Sequence, residues 1–177
     1  MKKLNLGCGN DIREGWVNLD IARLPGVDVV HDMSILPLPF ADEEFDQIAC
    51  IDILEHLDYI PLLKDLHRIM KKDGIIEIRV PHFTSRYNFI DPTHRKFFSF
   101  QTFDFFVLGS MHDRDYYFDF HFSEIVSSRI VFDRSGFLHN RIIEPWVNRN
   151  TKSKWYYELT GWSRIFPAAN IVVEIKK

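Results

Sequence analysis

Three residues into the chain, a short apolar run enters a two-glycine turn, Leu4-Asn5-Leu6-Gly7-Cys8-Gly9-Asn10, and a second run, Val17-Asn18-Leu19, closes on Asp20. Gly7 and Gly9 carry no Cβ, so the backbone there can take positive φ and a ligand can lie directly against it. If both runs are parallel strands, Asp20 stands beside the turn at the carboxyl edge of the sheet. An acidic side chain at that place can accept hydrogen bonds from two vicinal ribose hydroxyls. The opening therefore points to an α/β sheet with a nucleoside-binding edge.

The spacing narrows the ligand. A dinucleotide fingerprint needs a third glycine three residues on and a helix whose N-terminus faces the pyrophosphate. Here that position is Ile12, and ten residues separate Gly9 from Asp20. Removing the second strand leaves Asn10 to Trp16, hardly two turns at about 3.6 residues each. A phosphate-facing helix does not fit, which counts against NAD and FAD. A ligand with ribose and adenine but no phosphate does not need one. S-adenosylmethionine is such a ligand.

Further along, short apolar runs recur at Val27-Val30, Gln47-Ile51 and Ile75-Val80. Ile48-Ala49-Cys50-Ile51 is apolar at consecutive positions, as a strand buried on both faces requires. Asp58 and Pro61 suit a helix start. Leu62, Leu63, Leu66, Ile69 and Met70 mark one face of that helix, with Lys71, Lys72 and Asp73-Gly74 at its end. Strands alternating with crossovers imply a doubly wound α/β domain. At 177 residues the chain suits a single domain spanning 1–177.

The order of motifs resembles the class I S-adenosylmethionine-dependent methyltransferases, in the small group often called type-11-like. The resemblance rests on Leu6-Gly7-Cys8-Gly9, Asn18-Leu19-Asp20, His31-Asp32 and Leu36-Pro37-Leu38-Pro39-Phe40. It continues through Glu44-Phe45-Asp46, Ile53-Leu54-Glu55-His56-Leu57 and Arg68-Ile69-Met70-Lys71-Lys72-Asp73-Gly74, covering roughly residues 4–81. It implies a Rossmann-like sheet of seven strands ordered 3-2-1-4-5-7-6, with strand 7 antiparallel. It also implies that Leu6, Gly7, Cys8 and Gly9 line the cofactor, that Asp20 takes the ribose hydroxyls beside Ile21, that Asp32 and Met33 flank the adenine, and that Asp52 lies near the sulfonium. Glu55 and His56 fall in a segment that in this family more often packs locally. Two departures are expected: the usual helix before the first strand is missing, and the first crossover is short.

After Pro81 the character changes. Thirteen of the 16 Phe residues lie between Phe83 and Phe137, which marks an aromatic-rich cap or insertion at about 82–127. Rings at this density mostly pack against one another. Ser99 to Leu108 is expected to be a helix capped by Ser99. Arg129-Asp133 and Asn140-Pro145 read as strands, Asn148 to Lys154 as a polar stretch, Trp155-Ile165 as a helix and Ile171-Ile175 as a last strand.

Methyl transfer from a sulfonium needs positioning and exclusion of water more than activation. A hydroxyl acceptor also needs a base, for which histidine suits. His82, just past the fifth strand, and His94, in the basic stretch Arg86 to Lys96, are the catalytic candidates. Together with Asp91 they match no standard metal-ligand spacing, so no metal site is expected. The acceptor is expected to be a small molecule, such as a sugar or an anionic metabolite. A different reading is a non-catalytic S-adenosylmethionine-binding or regulatory module that contacts a protein partner through the Phe-rich segment; that segment could also form a homodimer. With net charge −3 and no basic field, no nucleic acid partner is expected. Two cysteines, no apolar run of spanning length and no signal-like start imply a cytoplasmic protein without membrane association.

Overall fold

The computed structural model describes residues 1–135 and 138–177; Phe137, the last ring of the aromatic run, lies outside them. One seven-stranded sheet organises the chain. Its strands are β1 (Lys3–Leu6), β2 (Val17–Asp20), β3 (Val29–Val30), β4 (Phe45–Ile51), β5 (Met70–Pro81), β6 (Glu124–Val131) and β7 (Asn170–Lys176). The order is β3-β2-β1-β4-β5-β7-β6, with β7 antiparallel to both neighbours and the first five strands parallel. This is the order the resemblance implies.

The central strand behaves as its composition requires: Ile48, Ala49 and Cys50 are fully buried. Helix α1 (Tyr59–Ile69) starts after Asp58 and buries Leu62, Leu63, Leu66 and Ile69 against the sheet. It ends earlier than its periodicity suggests. Met70 is extended and pairs with Phe45, so Lys71 and Lys72 belong to β5, and His67 and Arg68 occupy the last helical turn.

The first crossover holds its shape without a helix. Asn5 Nδ2 donates to Asp11 O (2.7 Å) and Asn18 Oδ1 (3.1 Å), while Arg13 N–H donates to Asn18 Oδ1 (2.9 Å). Asn18 Nδ2 in turn donates to Arg13 O, Trp16 O and Asp28 Oδ2. Two buried amides thus replace the hydrogen bonds that a helix would have supplied to this segment.

Residues 82–123 join β5 to β6. Phe98, Phe103, Phe106, Phe120 and Phe122 sit in the main core with Leu62, Leu63 and Leu66, and Phe100 in a second cluster with Phe132 and Tyr157. The rings therefore serve the chain's own core, with Phe89 and Phe97 among those left exposed. Within this segment lie the short helix α2 (Tyr87–Ile90) and a 3-10 stretch over Thr102–Phe106. Ser99 caps no α-helix; its hydroxyl donates to Glu158 Oε2 at 2.6 Å.

The C-terminal third departs further from the sequence reading. Asn140-Pro145 is not a strand but part of helix α3 (Asn140–Val147), because Ile143 and Val147, four residues apart, face the second core cluster while Ile142 is exposed. The expected helix at Trp155-Ile165 is two helices. α4 (Thr151–Leu159) begins inside the polar stretch, where Asn150 Oδ1 accepts from Ser153 N–H at 2.9 Å, and α5 (Trp162–Ile165) follows the break at Thr160-Gly161.

Candidate active site

At the carboxyl ends of β1 and β2, Gly7 and Gly9 take φ of 64° and 49°. A Cβ on Gly7 would collide with the Ile53 side chain, whereas the space beside Gly9 is open. Asp20 reaches across: its Oδ2 accepts from Gly9 N–H and its Oδ1 from Ala22 N–H, each at 2.8 Å. Each oxygen keeps one lone pair for a further donor. Ile21 stands exposed beside it, an apolar surface on which a base can lie. Asp32 Oδ1 holds the turn through Ser34 N–H (2.9 Å) and Oγ (2.7 Å), bonds that lower its pKa. Met33 and Cys8 are buried behind this edge, and burial raises the Cys8 pKa. Leu6 is buried in the core below the turn.

These residues fit a nucleoside with no phosphate. There is open backbone at Gly9, a carboxylate with spare acceptor capacity at Asp20, and, among the described residues, no helix between β1 and β2.

Asp52 follows β4 in the left-handed region, at φ 57°, and turns the chain into a 3-10 segment over Leu54–His56. Its carboxylate is clamped by Arg79 of β5, with Nε 3.0 and 3.1 Å from the two oxygens and Nη2 also in contact. Here opens a cleft of about 510 Å³ lined by Asp52, Glu55, His56, Arg79, Asp91 and His94, together with Pro81, Tyr87, Ile90 and Asn170. Ile53, next to Asp52 in the chain, sets its side chain against Gly7.

The loop after α2 latches onto the 3-10 segment. Arg95 N–H donates to Glu55 O at 2.8 Å, and Thr93 caps Asp91 through both N–H (2.8 Å) and hydroxyl (2.6 Å). This places the His94 ring edge-on to His56, with centroids 4.6 Å apart. His94 Nε2 lies 3.8 Å from Asp91 Oδ2 and 4.0 Å from Glu55 Oε1. Glu55 is fully buried, and neither of its oxygens has a hydrogen-bond partner. Burial pushes its pKa up to about 7, and burial together with His94 lowers that of His56.

Of the two expected catalytic histidines, the structure brings only His94 to the cleft. His82 is fully buried and both ring nitrogens are engaged: Nδ1 accepts from Thr84 N–H (3.2 Å) and contacts Thr84 Oγ1 (2.7 Å), and Nε2 meets Glu158 Oε1 at 3.1 Å. No ring nitrogen is left for an acceptor. Glu55 and His56, in a segment expected more often to pack locally, also line the cleft. The visible signal was an acid and a histidine side by side just past a central strand, where open α/β sheets bind ligands.

The sequence profile of the methyltransferase domain family matches residues 4–78, from β1 almost through β5. Over those residues, less than half of its length, the chain is similar to the S-adenosylmethionine-dependent methyltransferases. That family's cofactor is S-adenosylmethionine. An S-adenosylmethionine-dependent methyltransferase from Archaeoglobus fulgidus shares the fold at 19% identity and a TM-score of 0.62, over 99% of this chain and 86% of that one. The [4+2]-cyclase SpnF shares it at 14% identity and a TM-score of 0.57, over 99% and 74%. An uncharacterised protein of Methanocaldococcus jannaschii is 46% identical over 41 residues, a match spanning 23% of this chain and 18% of that relative. The cyclase shows that this methyltransferase-like fold also carries other chemistry, so the reaction has to be argued from the site.

Proposed function

We propose that this chain transfers a methyl group from S-adenosylmethionine to a small hydroxyl-bearing molecule, such as a sugar or an anionic metabolite, seated in the cleft between Asp52 and His94. The observation carrying this reading is the position of Asp52. It follows the strand that pairs with β1 and also lines the polar cleft, which supports a nucleoside at Gly9 and Asp20 turning its reactive end toward Asp52.

When bound, the sulfonium supplies a methyl group that is already activated for in-line displacement. The residues then have three tasks. Asp20 and Asp32 fix the nucleoside. Arg79 holds Asp52 against β5, which fixes the rim between donor and acceptor. His56, His94 and Glu55 present a compact polar wall to which an acceptor hydroxyl can give its proton or hydrogen bond. No helix among the described residues is long and apolar enough to cross a membrane.

The test is S-adenosylhomocysteine formation across a panel of hydroxylated sugars and carboxylated or phosphorylated metabolites, beside calorimetric binding of S-adenosylmethionine. Turnover with at least one class supports the enzyme. Tight cofactor binding without turnover on a broad panel would instead make the chain a binding module.

A further inference from the structure

One carboxylate in the cleft is poorly served among the described residues, its ion-pair contact being His94 Nε2 at 4.0 Å. Both Glu55 oxygens are buried and without a hydrogen-bond partner among the described residues. Arg79, the cation lining the same cleft, is committed to Asp52. A buried carboxylate without hydrogen bonds or a bonded counter-charge is costly, on the order of several kcal/mol. Natural structures keep such groups where something absent from the bare chain satisfies them.

The surroundings supply what a cation needs. Glu55, His56 and His94 each offer a donor atom, and these atoms all lie within 4.8 Å of one another. The histidine tautomer can be read from the hydrogen bonds. Thr93 donates its hydroxyl proton to Asp91 at 2.6 Å, so its lone pair accepts from His56 Nδ1 at 2.8 Å. The proton therefore sits on Nδ1, and His56 Nε2 carries a lone pair. A carboxylate and hydroxyl behind a ring nitrogen form the outer-shell arrangement that orients a metal-binding imidazole.

We propose that Glu55, His56 and His94 form a binding site for a divalent transition cation of the zinc class, with a coordination position open to the cleft. Two imidazoles and one carboxylate suit a borderline-soft ion, whereas magnesium or calcium prefers a shell of oxygens. Three protein ligands with a solvent-facing fourth place is the arrangement of reactive rather than structural sites. Bonds of about 2.0–2.2 Å place tetrahedral ligands about 3.3–3.6 Å apart. The 4.0 Å between His94 Nε2 and Glu55 Oε1 has to close by about half an ångström. The other separations among the three donor atoms, up to 4.8 Å, have to close as well. If the methyl-transfer reading holds, an acceptor hydroxyl bound at the open position would be made more acidic by the cation.

Metal-stripped protein titrated with Co²⁺ and with Zn²⁺ tests the site without cofactor or acceptor, so its failure leaves the methyl-transfer reading standing, and the reverse holds too. The expected result is one equivalent bound, with the intense visible bands of four- or five-coordinate Co²⁺ displaced by Zn²⁺. Glu55→Gln and His94→Ala should each weaken binding at least tenfold, while His112→Ala, away from the cleft, leaves it unchanged. Glu55→Gln removes a buried charge and keeps the side-chain shape, so it stays informative if His94→Ala does not fold. Affinity unchanged in Glu55→Gln, or no stoichiometric binding to the wild-type chain, overturns the proposal.

Discussion

The Asp20 carboxylate closes the glycine turn onto the second strand, accepting from the Gly9 N–H at 2.8 Å across eleven residues of sequence. The residue proposed to bind ribose is thus also a brace for the turn that receives the nucleoside. Asp20→Ala should weaken S-adenosylmethionine binding more than tenfold, which is about 1.4 kcal/mol or more. It should also lower cofactor-free stability by roughly 1 kcal/mol, through the stranded N–H donors. Asp20→Asn, which retains one acceptor oxygen for Gly9, should recover most of the stability but less of the affinity. Calorimetry and denaturant melts separate the two, and unchanged affinity in Asp20→Ala would remove the residue from the binding edge.

Glu158 ties three parts of the molecule together. Its carboxylate meets His82 Nε2 at 3.1 Å, the Ser99 hydroxyl at 2.6 Å and the Phe100 N–H at 2.9 Å, linking the end of β5 and the aromatic segment to α4. His82→Ala should therefore cost about 2–4 kcal/mol, from a lost buried ring and a mostly buried carboxylate left without that partner. Turnover per folded molecule should change little. A large fall in kcat with unchanged unfolding midpoint would return His82 to the chemistry.

The central strand was legible because a parallel strand buried on both faces leaves consecutive apolar residues, as in Ile48 to Ile51, while the order of the sheet came only from the family resemblance. The glycine turn, Asp20 and the short crossover followed from spacing alone. Side-chain amides acting across the chain were not legible: nothing in the local pattern says that Asn18 replaces a helix. The strand reading of Asn140-Pro145 failed because Ile142-Ile143 looks β-prone, while packing selects Ile143 and Val147 at helical spacing. The cleft was half legible. His94 was singled out, but its partners Glu55 and His56 lie 39 and 38 residues earlier, and a loop brings them together through the Arg95 N–H to Glu55 O bond.

Asp104 offers a pH test away from the cleft. Burial raises its pKa from 3.8 to about 6, with His112 and Lys154 only partly offsetting. A carboxyl whose folded pKa exceeds its unfolded value favours the native state fully below about pH 4, and that contribution is lost as pH rises through 6. Asp104→Asn should therefore melt about 2–4 °C above wild type at pH 8, allowing about 1 kcal/mol after discounting for partial exposure. The difference should vanish near pH 4. A pH-independent difference would point to packing instead.

Asn18 is the residue on which the first crossover depends. It is almost fully buried and serves Arg13 N–H with its oxygen, and Arg13 O, Trp16 O and Asp28 with its amide. Asn5 adds a further donor to the same oxygen. Asn18→Leu removes one of the two bonds of the buried Asn5 amide and strands the Arg13 N–H and several loop carbonyls, so it should cost about 2–4 kcal/mol. Because the crossover joins the glycine turn to β2, the loss should extend to cofactor binding, with affinity falling even where the protein remains folded. Asp28→Ala removes one partner of the network and leaves the crossover amide bonds in place, so it should affect stability less and binding little. Denaturant midpoints and S-adenosylmethionine affinities measured on both variants decide the matter: equal effects would mean that the crossover is held by its termini rather than by Asn18.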